Sequence, residues 1–270
     1  MNKAAESDPP EPADGLRLCM LASGSKGNSI HIACGNTSIL FDAGLSGIEI
    51  ERRMRSRGLS PENLDAIVVS HEHSDHIHGV GVLSRRFGVP VYMAPATHQS
   101  AASVLGTLRE LHPFECGTPF SISNLTIHPF SISHDAAAPA GFTIRSGNRK
   151  IGLATDLGIA TALVRDHLKG CALLVLEANH DPLMLEQGPY PWPVKQRIKG
   201  RTGHLSNESA KALLMDVLHE HLSHVVLAHI SETNNTPEKA LDVVSERIGR
   251  HPVRFIVACQ DTCGEIIRVD

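Results

Sequence analysis

From Leu16 onward, short apolar runs alternate with stretches of helical spacing. LRLCMLA (Leu16–Ala22), SIHIAC (Ser29–Cys34) and SILFDAG (residues 38–44) read as successive strands, separated by the turn-forming SGSKGN and GNT. A helix is predicted over residues 47–57 and a buried strand over 65–70. Ile77, Val80, Leu83 and Phe87 then recur at helical spacing. VPVYMA (89–94) is a further strand, and residues 114–155 are dense in short ones. In the second half, CALLVLEA (171–178) and HVVLAH (224–229) are strands. Residues 206–221 form an amphipathic helix with Ser206 as N-cap. A helix near 237–250 and closing strands VRFIVA and EIIRV complete the pattern. Strands lead each half, helices follow, and no linker intervenes. This predicts one domain over 15–270, two packed sheets with helices outside.

The chain has 270 residues, 41% of them hydrophobic and 20% charged, enough to bury a core without cross-links, which excludes a disordered or collagen-like chain. Residues 1–14 are acidic and proline-bearing and lack the apolar core of a signal peptide; they are read as a disordered tail of a cytoplasmic protein. No apolar run approaches the roughly 20 residues a membrane span needs. Six cysteines scattered through apolar stretches read as free buried thiols, Cys259 and Cys263 being the only close pair. The net charge of −4 gives no global basic excess for nucleic acid, so a polyanion would need a local patch or bound cations. Seventeen histidines, against seven Phe, two Tyr and one Trp, hint at metal chemistry.

The segment VSHEHSDH (69–76) gives that hint a location. His71 and His73 stand two apart just past a buried strand, so in an extended backbone both rings point the same way, toward one ion. The chain then enters the 77–87 helix, with Asp75 near its N-cap and His76 in its first turn, facing the same strand end from another angle and able to reach a second ion. His and carboxylate ligands without cysteine suit Zn, Mn or Fe. Asp156 follows the apolar IGLAT, His229 follows VVLA and His134 follows FSIS, all at predicted strand exits.

HEHSDH resembles the H-x-H-x-D-H signature of the metallo-β-lactamase superfamily. His134 in SISHD, Asp156 in LATDLG and His229 in VVLAHIS match that family's later metal motifs, in order. The resemblance implies an α+β fold, an αββα sandwich of two mixed sheets flanked by helices, with two divalent ions at the strand ends. It implies His71, His73 and His134 on one ion, Asp75, His76 and His229 on the other, and Asp156 shared. Two ions about 3.5–4 Å apart can share a water, lower its pKa toward 7 and clamp both oxygens of a displacement. The reaction class is therefore hydrolysis, with Asp75 counted among the catalytic residues.

Three features bear on the bond cut. Lys195, Arg197, Lys199 and Arg201 fall within seven residues and supply a local positive field for a phosphate backbone. Arg52, Arg53, Arg55 and Arg57 read instead as the surface of an exposed helix. His204 in GHLSN resembles the leaving-group histidine of transfer-RNA 3′-processing nucleases, where it delivers a proton after the shared hydroxide attacks phosphorus. Glu177 in LEANHD can orient it, and His180 can touch substrate. The loop SGSKGNS lacks a P-loop signature, but its backbone N–H groups and Asn28 can approach a phosphate. Together, LASGSKGNS, LFDAGLS, SHEHSDH, ATDLG, LEANHD and AHISETNNTPE resemble the YycJ/WalJ-type family, similar to 5′-to-3′ DNA exonucleases. That implies single- or double-stranded DNA as substrate. A small-molecule phosphodiesterase, another hydrolase of the same fold, a redox di-iron protein and a non-catalytic metal binder are the competing readings; no ligand is missing, which weighs against the last.

Overall fold

Long apolar runs form strands here because the inner strands of each sheet are covered on both faces. The computed structural model describes residues 15–249 and 251–269, so the predicted tail at 1–14 lies outside the described residues. The strands, in chain order, are β1 (Leu16–Ala22), β2 (Ser29–Cys34), β3 (Thr37–Phe41), β4 (Ala66–Val68), β5 (Val91–Met93), β6 (Leu111–Pro113) and β7 (Phe120–Ile122). They continue with β8 (Leu125–Ser131), β9 (Ala140–Ser146), β10 (Arg149–Ala154), β11 (Leu173–Glu177), β12 (His224–Ala228), β13 (Arg254–Val257) and β14 (Ile266–Val269). Two mixed sheets result, ordered β14-β1-β2-β3-β4-β5-β6 and β13-β12-β11-β10-β9-β8-β7.

The helices are α1 (Gly47–Ser56), α2 (Ser74–Ile77), α3 (Val80–Phe87), α4 (Pro95–Leu105), α5 (Ala162–Leu168), α6 (Pro182–Gln187), α7 (Trp192–Ile198), α8 (Asn207–Val217) and α9 (Pro237–Ser245). Alternation along each strand sorts its side chains between layers. Leu18, Ile32, Phe41 and Val68 meet Ile127, Phe142, Ile144 and Val175 between the sheets, where Phe41 and Phe142 pack edge to face at 5.3 Å. Cys19, Leu21, Leu40 and Ile67 face outward onto α1, α3 and α4. Leu174, Leu176, Val225 and Leu227 face α5, α8 and α9. The order of layers is the expected αββα.

Some element boundaries differ from the sequence reading. The helix expected over 77–87 is two pieces, α2 and α3, because the backbone at Gly79 packs against the loop after β3, donating its N–H to Ala43 O at 2.7 Å; a Cβ there would overlap the Leu45 carbonyl. The helix after Ser206 ends at Val217 rather than 221, and α9 ends at Ser245. Helices α4 to α7 carried no strong periodic signal; three of them span seven residues or fewer. Among the described residues no helix is long and apolar enough to cross a membrane.

Candidate metal centre

Parallel neighbours deliver their C-terminal ends to one edge, and this sheet does so three times. β10, β11 and β12 run parallel in register, Ala154 beside Leu176 and Glu177 beside Ala228. Asp156, Glu177 and His229 thereby emerge side by side. β3 and β4 do the same in the other sheet, bringing Asp42 next to Ser70 and His71. Three of these residues leave their strands through left-handed backbone: Asp42 at φ 58°, Asp156 at 56° and His229 at 54°. Such conformations cost of order 1 kcal/mol or more outside glycine and cluster where function needs a side chain aimed against the strand's direction.

The ligand-type atoms converge. His73 Nδ1 lies 3.1 Å from His71 Nε2 and 3.2 Å from His134 Nε2. His76 Nε2 lies 3.4 Å from Asp75 Oδ2 and 3.3 Å from Asp156 Oδ2. His229 Nε2 is 3.7 Å from Asp75 Oδ2. Asp156 Oδ1 reaches the first group, 3.8 Å from His134 Nε2. The sets His71–His73–His134, His71–His76–Asp156 and Asp75–His76–His229 each keep their ligand atoms within 4.8 Å of one another. All seven residues expected from the sequence are brought together.

The donor set fits divalent cations. Asp156 Oδ2 and His229 Nε2 are buried and close no hydrogen bond of good geometry, despite their short distances to His76 and Asp75. Buried polar atoms left in that state need a partner. Burial opposes charge on His76, but Asp156 and Asp42 outweigh it and hold its pKa well above the usual imidazole value. On His229, likewise, Asp156, Asp75 and Glu177 overcome burial. Burial and the neighbouring His76 push His71 well below that value, and burial lowers His134. The upward shifts on His76 and His229 favour protons that would balance the carboxylates as a cation does, and the downward shifts on His71 and His134 favour the neutral, ligating form.

Partners behind the ligands fix each ring. His76 Nδ1 donates to Asp42 Oδ2 at 2.8 Å, leaving Nε2 toward the centre. Asp42 also accepts from Ser70 N and Ser70 Oγ at 2.7 and 2.8 Å. Glu177 Oε1 accepts from His204 Nδ1 at 2.7 Å and His229 Nδ1 at 2.9 Å, while its Oε2 holds Leu157 N and Leu205 N. Burial raises the Glu177 carboxyl, yet His204 and His229 hold it at about 2. Asp42 had only its place in LFDAGLS to mark it; the usable signal is an aspartate closing an apolar strand.

Asn28 is buried and already engaged, its Nδ2 lying 3.1 Å from both Asp75 Oδ2 and His76 Nε2. The loop after β3 packs so close to Asn28 and Asp75 that a Cβ on Gly44 would overlap the Asp75 carbonyl and crowd Asn28 N. The basic segment is divided: Lys195 and Arg197 lie on α7, Lys199 is its C-cap and Arg201 follows in a turn. Lys195 and Lys199 line a cavity shared with His180 and His204. Arg197 pairs with Asp135 at 2.5 Å, and exposed Arg201 does not line that cavity. Arg53, expected at the surface, is buried and donates to Leu21 O and Gln260 O. Cys263 lies 3.8 Å from Cys19 rather than pairing with Cys259, which is exposed.

Residues 37–230 match the model of the Beta-lactamase superfamily domain. The chain is 37% identical over 234 residues to the exodeoxyribonuclease YycJ of Bacillus anthracis, covering 86% of this chain and 89% of that one. Among solved structures, the metallo-β-lactamase fold protein YhfI of Bacillus subtilis superposes with a TM-score of 0.73 at 15% identity, over 94% of this chain and 99% of that one. Zn(2+)-bound PqqB of Methylobacterium extorquens superposes with a TM-score of 0.69 at 15% identity, over 93% and 99%.

Proposed function

The chain belongs to the β-lactamase superfamily, a fold of metal-dependent hydrolases, and from that premise we propose that it is a 5′-to-3′ DNA exonuclease using two divalent ions, Zn or Mn. The observation that carries this reading is the pairing of a complete His/Asp ligand set with His204, held by Glu177 at 2.7 Å. In this reading His71, His73 and His134 hold one ion, Asp75, His76 and His229 the other, and the Asp156 carboxylate reaches both groups. Two ions bound there supply Lewis acidity to a phosphoryl oxygen and acidify water near neutral pH.

The chain's own residues do the rest. Glu177 accepts the Nδ1 proton of His204 and its negative charge supports the imidazolium form, whose second proton, on Nε2, is the one given to the leaving oxygen; such a donor typically contributes ~10²–10⁴-fold. Glu177 orients His229 through the same oxygen, so one buried carboxylate couples ligand and acid. Asp42 and Asn28 fix His76 and Asp75. The 37% identity to a relative named exodeoxyribonuclease supports DNA as the substrate.

The test is incubation with end-labelled single- and double-stranded DNA and RNA, beside a bis-phosphodiester, with Mn²⁺ or Zn²⁺ added. Stepwise release of mononucleotides from DNA 5′ ends is the expected result. Turnover of the small ester alone would overturn the reading in favour of a small-molecule phosphodiesterase.

A further inference from the structure

A cavity of about 330 Å³, lined by His204 but by none of the seven ligand-type residues, is bounded by α6, α7 and the start of α8. Lys195, Lys199, His180, His204 and Glu186 line it. Lys195 Nζ donates to the Glu186 carbonyl at 2.7 Å, and Lys199 Nζ stands 5.2 Å over the Trp192 ring. Among the described residues neither ammonium has a carboxylate within ion-pair distance, unlike Arg197 on the same helix. His180 is 3% exposed, and its Nδ1 has no hydrogen-bond partner. Ser206 and Ser209, at the N-terminus of the eleven-residue α8, form the facing wall and add the positive end of a helix dipole. Two cations without an ion-pair partner, beside a buried imidazole and a helix N-terminus, favour an anion here, although Glu186 also lines the cavity.

We propose that this cavity receives the departing terminal nucleotide, with Lys195 and Lys199 binding its 5′-phosphate and His180 hydrogen-bonding the nucleotide. The proposal rests on the nuclease reading above and adds an end requirement to it. A proton donor must stand beside the leaving oxygen, so the space lined by His204 is where the leaving group sits. Water adds to phosphorus and gives up a proton to solvent, the P–O3′ bond breaks, and the proton on His204 Nε2 passes to O3′, to be replaced from solvent before the next cycle. The piece released is a mononucleotide with a free 3′-hydroxyl and its original 5′-phosphate. The new 5′-phosphate stays on the shortened strand, which is then the next substrate. A volume at the lower end of the ~300–1,000 Å³ typical of ligand sites suits one nucleotide and not a polymer.

Trp192 is the only tryptophan, 64% exposed and beside Lys199, so its fluorescence reports on the cavity without turnover. Chelator-treated protein is titrated with 5′-dAMP, 3′-dAMP, deoxyadenosine and inorganic phosphate, with thermal shift as a parallel readout. Saturable binding of 5′-dAMP is expected, weakened about tenfold or more in Lys195→Gln, the order expected for one charge-assisted hydrogen bond. Binding of phosphate as tight as 5′-dAMP, or of 3′-dAMP in preference, overturns the proposal. In parallel, kcat/KM is compared on 5′-phosphorylated and 5′-hydroxyl duplexes, expecting about tenfold preference for phosphate that collapses in Lys195→Gln/Lys199→Gln. Equal stepwise degradation of both ends overturns the pocket and leaves the exonuclease standing. Lysine-dependent 5′-dAMP binding without degradation of any DNA overturns the nuclease and leaves the pocket.

Discussion

Replacing Glu177 with Gln changes one atom in a fully buried group that accepts four hydrogen bonds, two on each oxygen. The amide has one acceptor end, so in either orientation its NH₂ faces two N–H donors. If the NH₂ faces Leu157 N and Leu205 N, two buried backbone donors lose their acceptor, at roughly 1–3 kcal/mol each. If it faces the rings, two charge-assisted bonds worth roughly 1.5–3 kcal/mol each are lost. Both rings must then carry their proton on Nε2, which removes His229 as a ligand. Either loss fits within a typical stability of about 5–15 kcal/mol, so the variant should fold with a lowered Tm. The expected result is metal affinity down ~10–100-fold, as for other partners that orient ligands, and activity down ~10²–10⁴-fold at saturating metal. Metal content after graded chelation, together with kcat on labelled DNA, measures both. A variant that retains both ions and works within about threefold of the parent refutes the role given to Glu177.

Other perturbations test separate parts of the site. His71→Ala and Asp75→Ala should each abolish nuclease activity and reduce bound metal, while circular dichroism shows the fold retained. Asp42→Asn should weaken metal binding ~10–100-fold, because the His76 ring loses its anionic acceptor; equilibrium dialysis against Mn²⁺ reads this directly. The metal-free protein should lose stability as pH rises above neutrality. His76 and His229 have folded pKa values above their unfolded ones, so their contribution is full below about 6.5 and is lost as pH climbs through the folded values. His71 and His134, lowered in the fold, act in the opposite sense only near and below about 6.5, so thermal melts from pH 7.5 to 9 should fall without metal, and a flat or rising profile there counts against the charge arrangement. Metal uptake should release protons, visible as a buffer-dependent heat in calorimetry. The Cys263 thiol, lowered to about 6 by Cys19 and Arg57, should be alkylated ahead of Cys259 at pH 7, as peptide mapping would show.

Features coded by neighbouring residues were legible without coordinates. The apolar runs that became β1, β2, β11 and β12, and Ser206 as the cap of α8, depend on local pattern. So does the approach of His71 and His73, since strand geometry alone turns both rings one way. Short helices such as α6 and α7 were not legible, because packing rather than propensity stabilises elements of that length. The even look of the basic segment was misleading for a related reason: a four-residue spacing places Lys195 and Lys199 on one helical side and turns Arg197 toward Asp135.

The sequence by itself determined the residue types, the strand exits that carry them and, through resemblance, the family. Only the tertiary structure decided that Asp42 backs His76, that Glu177 serves both His204 and His229, and that a cavity with two lysines outside any ion pair adjoins His204. Those arrangements join residues dozens of positions apart, such as Glu177 and His229 at a separation of 52. Parallel pairing of β10, β11 and β12 sets their alignment, and no local pattern records which strand ends will meet.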